Sequence, residues 1–177
     1  MMNFKQKVSS YILGVIPTSD LPEIGIIGLQ ENLKSDSLNI LAGISKEDNA
    51  FEIEEYFNKA LKELNMKKPN NLEAANTLLV YYLKEIILNP DDPFPIMRTL
   101  YYDVYVRTEL DSGGPQYKYV GEKLGIQRLC TWYREFQDWE DEGILFYYAD
   151  LPREQQKKKF EEHLVQEAKA LLKKIQH

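Results

Sequence analysis

The chain predicts an all-α fold: a single-domain irregular bundle of about seven or eight helices covering 1–177. Three observations carry that expectation. Apolar residues recur at helical spacing along most of the sequence. Pro, Gly, Asn and Asp sit in the gaps at helix-start and helix-stop positions. One stretch, Leu72 to Leu88, is apolar almost all round, as expected of a helix at the centre of a bundle. With 177 residues and 44% hydrophobic content, the chain has the material for one core.

Phe4, Val8, Tyr11, Ile12 and Val15 fall on one face of a helix from about Asn3 to Val15, ended by Pro17. The run is too polar, and too poor in a small-residue cleavage site, for a signal peptide. Ser19 or Asp20 caps a second helix with Pro22 in its first turn and Ile24, Ile26, Ile27 and Leu29 on its apolar side. Gly25 and Gly28 lower its propensity and admit a close helical neighbour. Asp36 or Ser37 caps a third helix through Ile44. Asn49 opens a fourth, to about Leu64, with Ile53, Phe57, Ala60, Leu61 and Leu64 as its buried stripe. A turn at Lys67 to Asn71 leads into the central Leu72–Leu88 helix, stopped by Asn89-Pro90-Asp91-Asp92-Pro93.

From Pro93 to Leu110 two patterns compete. Ile96, Leu100, Tyr101, Val104 and Tyr105 fit a helix, which is the favoured reading. Leu100, Tyr102, Val104 and Val106 also alternate, and Asp111 to Pro115 would turn such a strand into Tyr117–Val120. A small β-hairpin over 100–120 is therefore the alternative. Next come a short helix from Tyr117 to Leu124 and a longer one from Gln127 to Asp141, with Leu129, Trp132, Tyr133, Phe136 and Trp139 on one side and Gly143 as its stop. Ile144 to Ala149 is apolar without helical period. Asp150 and Pro152 start a last helix to Ile175, striped by Phe160, Leu164, Ala168, Leu171 and Ile175. The signature residues of tetratricopeptide and ankyrin repeats are missing, and an irregular solenoid of the HEAT type is the remaining alternative.

Composition narrows function. A net charge of −6 argues against a nucleic-acid surface, which needs a basic stripe; the one basic run, Lys157 to Lys159, is followed by Glu161 and Glu162. The strongest apolar run, Leu78 to Leu88, is interrupted by Lys84 and Glu85 and is too short to span a bilayer, so no membrane partner is expected. Cys130 is alone, which excludes an intrachain disulfide and fits the cytoplasm; its apolar setting reads as a buried, inert thiol.

No cofactor or metal is expected. The Glu-x-x-His pair of a di-iron bundle is missing: Phe160 precedes His163 by three positions and Lys174 precedes His177. His163, among Glu161, Glu162 and Glu167, reads as solvated. Gly113-Gly114-Pro115 reads as a turn, because no Lys-Ser or Lys-Thr follows to make a phosphate loop. No catalytic residue is assigned.

Two features remain for recognition. Glu135, Asp138 and Glu142 are spaced to share one helix face, which is either simply wet or able to hold a hard cation or meet a basic partner. Tyrosine is abundant, twelve in all, mostly from Tyr101 onward, and aromatics with a polar tip suit interfaces. Tyr102, Tyr119, Tyr147 and Tyr148 lie off the core stripes. With the three acids they form the candidate interaction surface.

The stretch Leu21-Pro-Glu-Ile-Gly-Ile-Ile-Gly-Leu29, followed by Ser37-Leu-Asn-Ile-Leu-Ala-Gly43 and more weakly by Phe57 to Leu64, resembles the opening of uncharacterised bacterial all-helical proteins. The resemblance implies a bacterial cytosolic helical protein and brings no catalytic residue with it.

The expected function is a non-enzymatic protein-interaction module, an adaptor or an immunity-type protein, whose partner is another protein of basic character or a second copy of itself. One alternative is an enzyme whose carboxylates and tyrosines meet only in the fold. The other is a homo-oligomeric structural protein.

Overall fold

A computed structural model describes residues 1–110 and 119–176. It is all-α, with no strand among the described residues. The chain forms two compact units, Met1–Leu78 and Leu79–His177.

In the first unit, α1 (Phe4–Ile12), α2 (Leu21–Gln30), α3 (Asp36–Gly43) and α4 (Ala50–Glu63) bury most of the stripes read from the sequence, but Ile26, expected on the apolar side of α2, is 45% exposed. Phe4, Leu21, Leu38 and Phe57 are almost wholly enclosed, and the Tyr11 ring meets Phe57 edge-on at 5.2 Å. The two glycines of α2 do what their lack of a side chain allows. A Cβ on Gly25 would stand 2.9 Å from the backbone nitrogen of Ala42 in α3, and one on Gly28 would stand 2.9 Å from the Phe4 ring.

Helix ends depart from expectation for one recurring reason. α1 stops at Ile12, well before Pro17, because Gly14 takes the left-handed conformation at φ 68°. Its amide donates to the Tyr11 carbonyl at 2.8 Å and the Val15 amide to Ser10 at 2.9 Å, which closes the helix with a Schellman motif. Asn32 (φ 61°) and Asn65 (φ 53°) close α2 and α4 in the same way.

The α3 cap is one residue earlier than expected. Ser35 Oγ accepts the Leu38 amide at 3.0 Å, and the hydroxyls of Ser35 and Ser37 donate to the Glu63 carboxylate at 2.6 and 2.5 Å. Asp20 stands at the N-cap position of α2 but makes no side-chain capping bond: it pairs with Lys46 at 3.3 Å, and a 3₁₀ turn at Thr18–Asp20 leads straight into α2.

The serine hydroxyls and the Ser37 amide hold the Glu63 carboxyl at about 2, below its ordinary 4.5. The folded state therefore binds this proton less readily than the unfolded chain. Glu63 stabilises the fold fully above pH 4.5, and that contribution fades as pH falls towards 2. Glu63→Gln is expected to flatten the acid limb of stability over this window, read from denaturant midpoints at successive pH values. An unchanged limb would remove this role.

α5 (Asn71–Leu88) begins one residue before the expected Leu72 and contains the boundary between the units. Its Ala74, Ala75, Leu79, Leu83 and Ile86 are enclosed, while Leu72 and Leu88 are exposed. No helix among the described residues is long and apolar enough to cross a membrane.

In the second unit, α6 (Phe94–Thr99) runs into a π-helical segment, Leu100–Val106, and returns to α geometry as α7 (Arg107–Leu110). Leu100 to Val106 are thus helical, as favoured, and the hairpin alternative loses its first strand. Its turn falls on 111–118, outside the described residues. Of the short helix expected at Tyr117–Leu124, the described part is a 3₁₀ turn, Glu122–Leu124. α8 (Gln127–Glu140) and α9 (Arg153–Ile175) complete the unit. Phe94 and Phe136 stack at 3.7 Å between α6 and α8, and Phe160, Leu164 and Ala168 of α9 are buried.

Candidate interaction surface

The most fully built surface feature is the loop between α8 and α9, residues 141–152. Glu142 closes α8 in the left-handed conformation at φ 56°, and the Gly143 amide donates to the Asp138 carbonyl at 2.7 Å. Gly143 is thus the second residue of the stop rather than the first. The chain then folds back over α8.

Four sets of contacts pin it there. Glu135, only 3% exposed, accepts the backbone amides of Phe146 and Tyr147 on one carboxylate oxygen, both at 3.1 Å. Gln156 of α9 donates to the carbonyls of Tyr148 and Ala149 at 3.1 and 3.3 Å. The Trp139 indole donates to the Arg153 carbonyl at 3.1 Å, while the Arg153 guanidinium returns a bond to the Trp139 carbonyl at 2.6 Å and covers the indole face at 4.3 Å. Tyr148, held at φ 59°, bonds its hydroxyl to His163 Nε2 at 2.7 Å.

A bulky residue in the left-handed region is costly and persists only where its surroundings fix it. Here the surroundings are an aromatic stack: His163 lies flat on Trp132 at 4.0 Å, and Trp132 meets Tyr147 at 5.1 Å. His163 is therefore half-buried and ring-stacked rather than solvated. Its partner Trp132 comes from another helix, so its own sequence neighbours could not reveal the contact.

This anchored loop turns large apolar side chains outward. Ile144 is 85% and Phe146 79% exposed, and a concavity of about 460 Å³ opens between Trp139, Ile144, Leu145 and Arg153. Asp138, Asp141, Glu142 and Asp150 surround these residues in the chain, and none has a salt-bridge partner among the described residues.

The seven residues singled out from the sequence divide between two sides of α8. Tyr147, Tyr148, Asp138 and Glu142 belong to the loop or its base. Glu135 also belongs here but points inward, so it holds the surface rather than forming it. The expected shared acidic face fails because α8 ends at Glu140, which takes Glu142 off the helix, and because the returning loop covers Glu135. Tyr102 and Tyr119 are exposed but lie elsewhere: Tyr102 packs edge-on against Tyr101 at 5.2 Å, and Tyr119 lines a separate cavity. Ile144 and Phe146, not singled out from the sequence, join the candidate surface through their exposure. Their signal was an apolar run without helical period, set between acids and a proline.

Among the described residues no group of His, Cys, Asp and Glu is placed to hold a metal ion. Cys130 is buried, and burial pushes its thiol up to about 12, so it stays protonated at neutral pH. Burial also raises Glu161, but that carboxylate pairs with Lys157 at 3.4 Å. No protein-family model, curated protein or solved structure matches this chain.

Proposed function

We propose that the protein is a non-enzymatic interaction module that docks a basic protein through the α8–α9 loop. The observation that supports this reading is a loop rigidly tied by Glu135, Gln156 and Arg153 that nevertheless exposes Ile144, Phe146 and Tyr147 amid acids with no salt-bridge partner among the described residues. Preorganised apolar anchors lose little entropy on binding, and Trp139 and Arg153 at the concavity are residue types that dominate interface energetics. The acids favour a partner with Lys or Arg beside an apolar projection, and they speed encounter with it. Within this reading an adaptor or immunity-type role, in which a basic active site is covered, accommodates the net charge of −6.

The test is recovery of the full chain from its native host at low salt. One stoichiometric basic partner is expected. The double variant Ile144→Asp/Phe146→Asp should weaken its binding on the order of 100-fold, while added salt slows association. Both positions are exposed, so the variant folds normally by circular dichroism. Recovery of the protein alone at high concentration, or a partner indifferent to both changes, would overturn the proposal.

A further inference from the structure

Tyr148 and His163 form a pair whose chemistry docking does not use. The Tyr148 hydroxyl lies 2.7 Å from His163 Nε2, and the two rings run 18° apart with their centres at 5.7 Å. With the imidazole proton on Nδ1, Nε2 accepts the phenolic hydrogen. His163 is oriented in turn by Trp132, which lies flat against it at 4.0 Å. A nucleophile within hydrogen-bond reach of a base, with the base fixed by a third group, is the arrangement that activates a hydroxyl for covalent chemistry. His163 is the only histidine among the described residues, so no other described tyrosine has such a partner.

Two further observations point the same way. Tyr148 keeps a left-handed backbone at φ 59°, and strained residues of this kind cluster where chemistry is done. Lys159 stands one helical turn before His163 on α9, within electrostatic reach of the Tyr148 oxygen, and bonds to Glu162 at 2.8 Å. It belongs to the basic run Lys157 to Lys159, which the docking surface leaves unexplained. A cation beside the hydroxyl favours an electrophile that gathers negative charge as it reacts.

We propose that Tyr148 is a site of covalent modification, its oxygen taking a phosphoryl-type group from a small phosphorus electrophile with a good leaving group, and that His163 is the base. The bond from Tyr148 Oη to phosphorus forms as the bond to the leaving group breaks. The leaving group departs with its electron pair, and the phenolic proton passes to His163 Nε2 and from there to water. Lys159 offsets the charge on the phosphoryl oxygens. Tyr148 and His163 are both only half-buried, so a small donor reaches the pair from solvent. The modified oxygen no longer donates to His163, while Glu135 and Gln156 continue to hold the loop.

The reaction is read on the full chain alone and does not depend on a docking partner. The probe is a fluorophosphonate, followed by intact-mass and tandem mass spectrometry. One adduct on Tyr148 is expected, formed with loss of fluoride and well ahead of any other of the twelve tyrosines. His163→Phe keeps a ring on Trp132 but removes the base, and should slow labelling about 100-fold. His163→Ala should be equally slow, and added imidazole should restore its rate, which a merely structural role of the histidine does not allow. Lys159→Gln should slow labelling about tenfold. An unlabelled chain, an adduct that forms faster elsewhere, a rate untouched by His163→Phe or by Lys159→Gln, or a His163→Ala variant that imidazole does not rescue would each overturn the proposal.

Discussion

Glu135→Ala is expected to cost about 3 kcal/mol, because it removes two hydrogen bonds to an enclosed carboxylate and each is worth about 1.5 kcal/mol or more. The residue is 3% exposed and touches no partner, so its whole effect runs through the loop amides of Phe146 and Tyr147. The two amides should lose protection in hydrogen exchange, while amides in α2 and α3 keep theirs. Glu135→Gln retains one acceptor oxygen and should cost about 1 kcal/mol. If the proposed docking function is correct, partner binding falls in the alanine variant although nothing exposed has changed. Retention of both amides' protection in Glu135→Ala would show that the loop is held without this carboxylate.

The second large effect is a sign reversal between two identical substitutions. Gly→Ala in a helix ordinarily stabilises by up to about 1 kcal/mol through helix propensity and reduced freedom of the unfolded chain. Gly43→Ala at the end of α3 has open space around the new methyl group and should follow that rule, gaining about 0.5 kcal/mol. Gly25→Ala should lose about 2 kcal/mol, because the methyl meets the Ala42 backbone at 2.9 Å and that backbone cannot step aside without moving α3. Denaturant midpoints of the two variants should fall on opposite sides of the parent. A stabilised Gly25→Ala would mean that α2 and α3 pack less tightly than described.

The helical stripes were legible because burial has a period: Phe57, Leu61, Phe160 and Leu164 each sit where a 3.6-residue repeat puts the core. The ends were less so. Proline drew attention at 17, yet α1 stops through Gly14, and Asn32 and Asn65 close two more helices by adopting a conformation that only a few residue types tolerate. Ser35 caps α3 with help from Glu63, which comes from another helix and is therefore invisible to local reading.

The same division applies to the site. Tyr147, Asp138 and Glu142 stood out because they are polar or amphipathic residues off the apolar stripe. Glu135 looked identical to its neighbours in spacing. Its burial is created by a loop that doubles back over it, and no periodicity encodes that return. His163 was misplaced for the same reason, since the ring beneath it belongs to Trp132.

Glu142 takes the place where glycine is cheapest. A side-chain-bearing residue in that conformation costs about 1 kcal/mol relative to glycine. An engineer seeking heat tolerance would change this position early, and would thereby delete a negative charge beside Ile144. If the proposed docking role is correct, robustness and affinity are set against each other at one backbone angle, and a version of this protein tuned for endurance is the poorer binder.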